Sequence, residues 1–224
     1  MSIIKDLKQI MTLNLRANYN NLAFQTMDYY RSYQAAASGL STDAVVEYYW
    51  FTIKPTSPAG SWERFQTDYV KLVSAFHSSV CRHTVGTRFN SANKKHLKPF
   101  IFAAPDYENS NESPPQRNNS FNHVHGLIML QGEQITYFKD LIDKNGNDYQ
   151  YTKEISQIRS VTLNEITSND RDLYNYINYI NKNTSRRSLN INPNMMLPND
   201  KAFKAYLNEH MKPHQDGSRL KKAA

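Results

Sequence analysis

The chain has 224 residues, 39% of them hydrophobic and 21% charged, with a formal net charge of +7 and an isoelectric point near 9.3. That length suits one domain with extensions, and no apolar run approaches the length of a membrane span. The start, Met1-Ser2-Ile3-Ile4-Lys5-Asp6, lacks a signal-peptide apolar core, and a single cysteine, Cys81, excludes an intrachain disulfide framework. The expectation is a cytoplasmic protein with no membrane role and with Cys81 as a small core residue on a helix. The positive charge points to a polyanionic partner such as nucleic acid, and the 15 Tyr and 10 Phe include rings able to stack on unpaired bases.

Residues 1–43 read as a helical N-terminal extension in two segments. Ile3, Leu7, Ile10 and Met11 have helical spacing, and a second segment runs from about Leu22 to Ala37 before Ser38-Gly39 stops it. This extension is expected to pack on the main domain or on a second copy. Ala44 to Lys54, rich in β-branched and aromatic residues and closed by Pro55, predicts a central strand. Ser61 is placed to cap a helix from Trp62 to His83, with Phe65, Tyr69, Leu72, Val73 and Phe76 on one face.

Residues 84–98 are polar and basic, with Arg88, Lys94, Lys95, His96 and Lys98. They read as a solvated loop or as a hairpin facing DNA. Phe100 to Ala104 predicts a short strand, and Asp106 to Ser120, rich in Asn, Ser and Pro, predicts a loop. Further on, a helix is expected over Ile135–Lys144, a turn or edge strand over Asp148–Tyr151, a strand over Gln157–Ile166 and a helix over Arg171–Asn183 capped by Ser168-Asn169-Asp170. Residues 184–224 turn basic, with Arg186-Arg187, and a short helix over Lys201–His210 and a disordered end are expected there. The element order predicts an α+β fold: a mainly antiparallel sheet with helices on one face and the other face partly open.

Within that pattern one stretch carries chemistry. In Phe121-Asn122-His123-Val124-His125-Gly126-Leu127-Ile128-Met129-Leu130 two histidines sit two apart at the head of an apolar strand. Strand side chains alternate, so His123 and His125 share one face and Val124 takes the other. Two imidazoles side by side on a rigid strand form half of a divalent-metal site.

The helix over residues 171–183 carries Tyr174, Tyr176, Tyr179 and Lys182. At about 100° per residue, Ile177 and Ile180 fall within about 40° of Leu173, and the three define the buried stripe. Tyr176 lies beside that stripe as a core or semi-core ring, while Tyr179 and Lys182 lie away from it and about 60° apart. A phenol with a pKa near 10 is a poor nucleophile at neutral pH, and a neighbouring ammonium helps by stabilising the phenolate or holding a phosphate.

Three blocks therefore occur in order: Phe51-Thr52-Ile53, His123-Val124-His125 and Tyr179-Ile180-Asn181-Lys182. Together, over residues 45–183, they resemble the HUH endonuclease superfamily, and within it the single-tyrosine initiators of rolling-circle replication. The resemblance implies an RRM-like or palm-like sheet in a domain over residues 44–183, and Mg²⁺ or Mn²⁺ held by His123, His125 and a third polar ligand, often a Glu shortly before the His strand. Here Asp106, Glu108 and Glu112 are the candidates, with Glu108 preferred and Glu47 on the first strand a further possibility. It implies that Tyr179 attacks single-stranded DNA at a plasmid or phage origin to leave a 5′-phosphotyrosine, with Lys182 assisting. The same chemistry serves transposases and conjugative relaxases, and some initiators use two tyrosines, which would bring in Tyr176. No G-x-x-x-x-G-K-[ST] loop is present, so unwinding is expected to fall to a host helicase. A reading from another class is a non-catalytic DNA-binding or repressor module on the same sheet.

Overall fold

Val46–Pro55 forms the central strand β1, and its alternation sets the architecture: Tyr49, Phe51 and Ile53 face one side of the sheet, Tyr48, Trp50 and Thr52 the other. The structure, a computed structural model, describes residues 2–38, 45–57, 62–106, 123–166, 170–181 and 195–198. The other strands are β2 (Phe100–Asp106), β3 (His123–Gln131), β4 (Ile142–Asn145), β5 (Asp148–Tyr151), β6 (Ile158–Ile166) and β7 (Met195–Leu197). The sheet has seven strands in the order β4-β5-β6-β1-β3-β2-β7, and every pairing is antiparallel. The α+β class and the mainly antiparallel sheet are as expected.

The helices are α1 (Ser2–Ser38), α2 (Trp62–Thr84), α3 (Glu133–Lys139) and α4 (Asp170–Ile180). They cover both faces of the sheet, not one. On the first face, α2 supplies Phe65, Tyr69, Leu72, Val73, Phe76 and Val80, and α3 supplies Ile135 and Phe138. These pack on Tyr49, Phe51, Ile53, Ile101, Val124, Ile128 and Leu163. On the second face, Ala23, Met27 and Tyr30 of α1 and Leu173, Ile177 and Ile180 of α4 pack on Trp50, Phe100, Phe102, Leu127, Met129 and Ile166. Cys81 is fully buried on α2, as expected of a core residue, and burial pushes its thiol up to about 12.

The N-terminal segment is one continuous helix, and from Asn20 onward it is part of the domain. The Tyr30 hydroxyl donates to the Lys98 carbonyl at 2.7 Å, and Gln34 Nε2 donates to the same oxygen at 2.8 Å. Near its middle, Asn20 donates to Asn178 of α4 at 3.1 Å and accepts from Asn181, while Phe24 stacks on Tyr174 at 5.9 Å. Buried amides need such partners, and here they tie α1 to the helix over the second face.

Three local expectations change. The helix expected over 135–144 stops at Lys139, because Asn145 and Gly146 serve a hairpin instead: Asn145 pairs with Asp148, and Gly146 takes a φ of +65° in the two-residue loop. Residues 84–98 contain turns and a single 3₁₀ turn at Lys95–Leu97, and this segment meets the sheet at the Phe100 end of β2. Lys94 is turned inward to the Val85 carbonyl at 2.9 Å, and Lys98 is buried. Within the expected C-terminal extension, Met195–Leu197 adds an edge strand to β2, whereas the expected helix over 201–210, Arg186-Arg187 and the basic end lie outside the described residues.

Candidate metal centre and its tyrosine

The site lies where β1, β3 and β2 run side by side at the His123 end of β3. Register aligns it: Thr52 of β1 is opposite His125, and on the other flank Ala104 is opposite His125 and Asp106 opposite His123. Asp106 is in phase with Phe100, Phe102 and Ala104, so its side chain joins the two histidines on the second face. His123 Nε2 lies 3.3 Å and His125 Nε2 3.1 Å from the same oxygen, Asp106 Oδ2. The carboxylate side chain is 3% exposed, the two rings 19% and 13%.

These distances suit a shared cation. With donor–metal bonds of about 2.1 Å, neighbouring donors stand about 3.0 Å apart in octahedral and about 3.4 Å apart in tetrahedral coordination. The three candidate ligand atoms lie within 4.8 Å of one another, and imidazole nitrogens and carboxylate oxygens are both ordinary donors to divalent metals. Asp106, His123 and His125 could therefore hold a divalent ion.

The rings are fixed from outside the cluster. His125 Nδ1 lies 3.0 Å from Thr52 Oγ1. Its ring stacks on Trp50 with centroids 4.9 Å apart and planes 27° from parallel, and meets His123 edge to face at 4.7 Å. Behind the strand, Gly126 leaves room for the Phe51 ring: a Cβ there would come within 2.1 Å of it. No larger residue fits next to His125 while Phe51 fills the core beneath it.

Tyr179 completes the arrangement. Its ring contacts His125 edge to face at 5.2 Å and Trp50 at 5.4 Å, and the residue is 38% exposed. The buried stripe of α4 is Leu173, Ile177 and Ile180, as the helical wheel predicts, and Tyr176 packs on the core with its ring 5.0 Å from Trp50. Tyr174, exposed and stacked on Phe24, is remote in role from this group.

The residues expected at the site thus divide. His123, His125 and Tyr179 come together. Glu108, the preferred third ligand, lies outside the described residues, as do Glu112 and Lys182. Asp106, one of the other candidates, is in the cluster. Glu47 is excluded, because it shares the phase of Tyr49 and Phe51 on the opposite face and is opposite Leu130, toward the far end of β3. There it accepts from Lys139 at 2.7 Å and from the Tyr49 hydroxyl at 2.9 Å.

Asp106 reads as a loop residue because Pro105 has the character of a strand terminator, whereas β2 continues through it. A signal is nonetheless present: Phe100-Ile101-Phe102-Ala103-Ala104-Pro105-Asp106 keeps Asp106 in step with the alternate face. Thr52 is visible in the sequence only within the Phe51-Thr52-Ile53 block and Trp50 only as part of an aromatic strand, with no local sign that either meets His125. No family model matches the chain, and neither the curated proteins nor the solved structures contain a match.

Proposed function

We propose that the chain is a metal-dependent single-stranded DNA endonuclease and strand-transferase of the HUH type, initiating rolling-circle replication of a plasmid or phage with Tyr179 as nucleophile. The observation that carries this reading is the contact between the Tyr179 ring and His125, one of three converging metal-ligand candidates. A phenol half exposed beside such a cluster suits attack on a polymer that lies across the site rather than inside a closed cavity.

Asp106, His123 and His125 would hold Mg²⁺ or Mn²⁺, which as a Lewis acid polarises a phosphodiester and offsets its developing charge. Tyr179 Oη forms the new bond to phosphorus and gives up its proton, and the bond from phosphorus to the 3′ oxygen breaks. The 3′ oxygen takes a proton and leaves as a hydroxyl, and the downstream strand stays linked through a 5′-phosphotyrosine. One phosphodiester replaces another, so the reverse attack by a 3′-OH can rejoin the strand. Trp50 holds both rings, stacked on His125 and edge-on to Tyr179, which keeps nucleophile and metal ligands at a fixed separation.

The test uses 3′-labelled single-stranded oligonucleotides of randomised sequence with Mn²⁺, read on a denaturing gel. The expected result is a labelled protein–DNA adduct that disappears in Tyr179→Phe and persists in Tyr176→Phe. No adduct in the parent chain with Mn²⁺ or Mg²⁺ would refute the reading, and loss in Tyr176→Phe alone would move the nucleophile to the other ring.

A further inference from the structure

The far end of the sheet carries a second group of buried polar side chains. Gln131 closes β3 at the end opposite His123, about 27 Å away at about 3.4 Å per residue. A cleft of about 310 Å³ opens there, lined by Gln34 and Ser38 of α1, Thr84 of α2, Leu97, and Gln131 and Gln134 where β3 passes into α3. That volume lies at the low end of the range for small-molecule sites, roughly 300–1,000 Å³. The three glutamines come from three elements and are 2%, 5% and 7% exposed in chain order. Gln131 Nε2 donates to Gln34 Oε1, and Gln34 Nε2 donates to the Lys98 carbonyl at 2.8 Å. Gln134 Nε2 donates to the Leu97 carbonyl, and the Gln131 backbone N–H donates to Gln134 Oε1 at 3.1 Å.

A network that served only to join these elements would close on itself, because a buried polar group left unpaired is costly. This one stays open. The Ser38 hydroxyl is buried and has no hydrogen-bond partner. Gln131 Oε1 accepts from none of the described residues, and the Gln131 amide uses one of its two N–H groups. Gln131 therefore keeps a donor and an acceptor on one planar group, the combination that pairs with N6 and N7 of adenine. Among the described residues no Lys or Arg lines the cleft, and Glu133 at its margin is exposed and acidic, so the cleft suits an uncharged ring and not a phosphate. Positive charge stands just outside. Thr84 and Leu97 bound the basic segment, Lys94 Nζ sits on the Val85 carbonyl at 2.9 Å, one residue past Thr84, and Arg82 and Arg88 are exposed.

We propose that this cleft is a nucleotide site separate from the metal cluster. It takes one unpaired adenine, read by the Gln131 amide with the Ser38 hydroxyl beside it, and the attached phosphate lies on the basic segment around Lys94. A free adenine nucleotide and an adenine within single-stranded DNA carry the same chemistry, and both are sources of this ligand. The site gives a role to the basic residues of 84–98, which meet the sheet at the Phe100 end of β2, away from His123. It depends neither on a metal nor on Tyr179, which belong to the other end of the sheet.

The experiment uses the full chain, with dAMP, dCMP and short single-stranded oligomers of dA and of dC as probes. Affinity is measured by titration calorimetry, and the place of binding by the side-chain amide signals of ¹⁵N-glutamine-labelled protein. An adenine probe should bind about 5- to 150-fold more tightly than its cytosine counterpart, the range of one bidentate amide–adenine pair, and should shift the Gln131 amide signal. Ser38→Ala, which removes only an unpartnered hydroxyl, should bind adenine about 2- to 10-fold more weakly, and Ser38→Leu, which fills the cleft, should lose the preference for adenine. Binding of dAMP assigns a free nucleotide as a ligand, and binding of the dA oligomer alone assigns a DNA strand. Equal affinity for adenine and cytosine probes overturns the proposal, as does an unmoved Gln131 signal or the failure of both adenine probes to bind. Those three results come from the parent chain and stand even if a variant fails to fold. Folded Ser38→Ala and Ser38→Leu variants that both bind adenine as the parent does overturn it as well. The adduct at Tyr179 is a separate readout: its absence refutes the nuclease reading and leaves this one standing, and its presence does not rescue a cleft that binds no adenine.

Discussion

The two faces of the sheet are built from the same strands but do different work. Under α2 and α3 the face carries a continuous apolar core, from Ile53 and Val124 at one end to Leu130 at the other, with Glu47 beside Leu130 paired to Lys139 and Tyr49. Under α1 and α4 it is apolar only over part of its length, and at the His123 end of β3 it carries Thr52, Asp106, His123 and His125. The first face therefore resists any loss of volume, while the second trades part of its burial for polar groups that only a ligand or a fixed partner can satisfy. A strand with period two can serve both ends at once, since Val124 seals one side while the histidines flanking it open the other.

Three changes would break or sharpen that comparison, in falling order of expected effect. The first is Phe51→Ala on the closed face. The ring is fully buried against Phe76 and over Gly126, so its loss should lower unfolding free energy by about 3–5 kcal/mol in urea denaturation. A loss below about 1 kcal/mol would mean that this face is not the rigid one.

The second is Asp106→Asn on the open face. It keeps the shape but removes the one anionic donor of the cluster, so Mn²⁺ affinity in calorimetry should fall by more than the roughly 100-fold upper range for outer partners. Urea stability should change far less than for Phe51→Ala. If stability collapses while affinity holds, the carboxylate is a structural clamp on the two rings and not a ligand.

The third concerns pH and belongs to the closed side. His77 of α2 is buried with its Nε2 donating to the Pro99 carbonyl at 2.9 Å. Burial lowers its pKa to about 4, against the smaller raising effect of that hydrogen bond, and the Lys98 charge lowers it further. The folded value is depressed, so the unfolded chain binds the proton first as pH falls. The contribution to stability is complete above the ordinary value near 6.5 and is lost as pH drops through the window down to about 4. The loss should reach roughly 3 kcal/mol at most, from about 1.4 kcal/mol for each tenfold change in proton affinity. His77→Gln should flatten the slope of urea stability against pH in this window, and an unchanged slope would assign the effect to other groups.

Much of the site is legible in local sequence. Period-two alternation places His123 and His125 together, and the helical wheel separates Tyr179 from the buried Leu173–Ile177–Ile180 stripe while putting Tyr176 against the core. Both inferences use only the geometry of one element, which neighbouring residues determine. The third ligand is another matter. The resemblance to a family that often uses a Glu favours Glu108, yet the carboxylate beside the rings is Asp106, set there by the pairing of β2 with β3.

What the sequence determined by itself was thus the content of each face: which side chains an isolated strand or helix turns the same way. Only the tertiary structure decided which faces meet. Register between β1, β3 and β2 joins Thr52 and Asp106 to the histidines, and packing of α4 on Trp50 brings Tyr179 to His125. The N-terminal helix became part of the domain in the same way, through the amide pairing of Asn20 with Asn178 and Asn181 across more than 150 residues of chain. The physical reason is that cross-strand register and helix docking are fixed by burial summed over whole faces, a quantity that no short window of sequence contains.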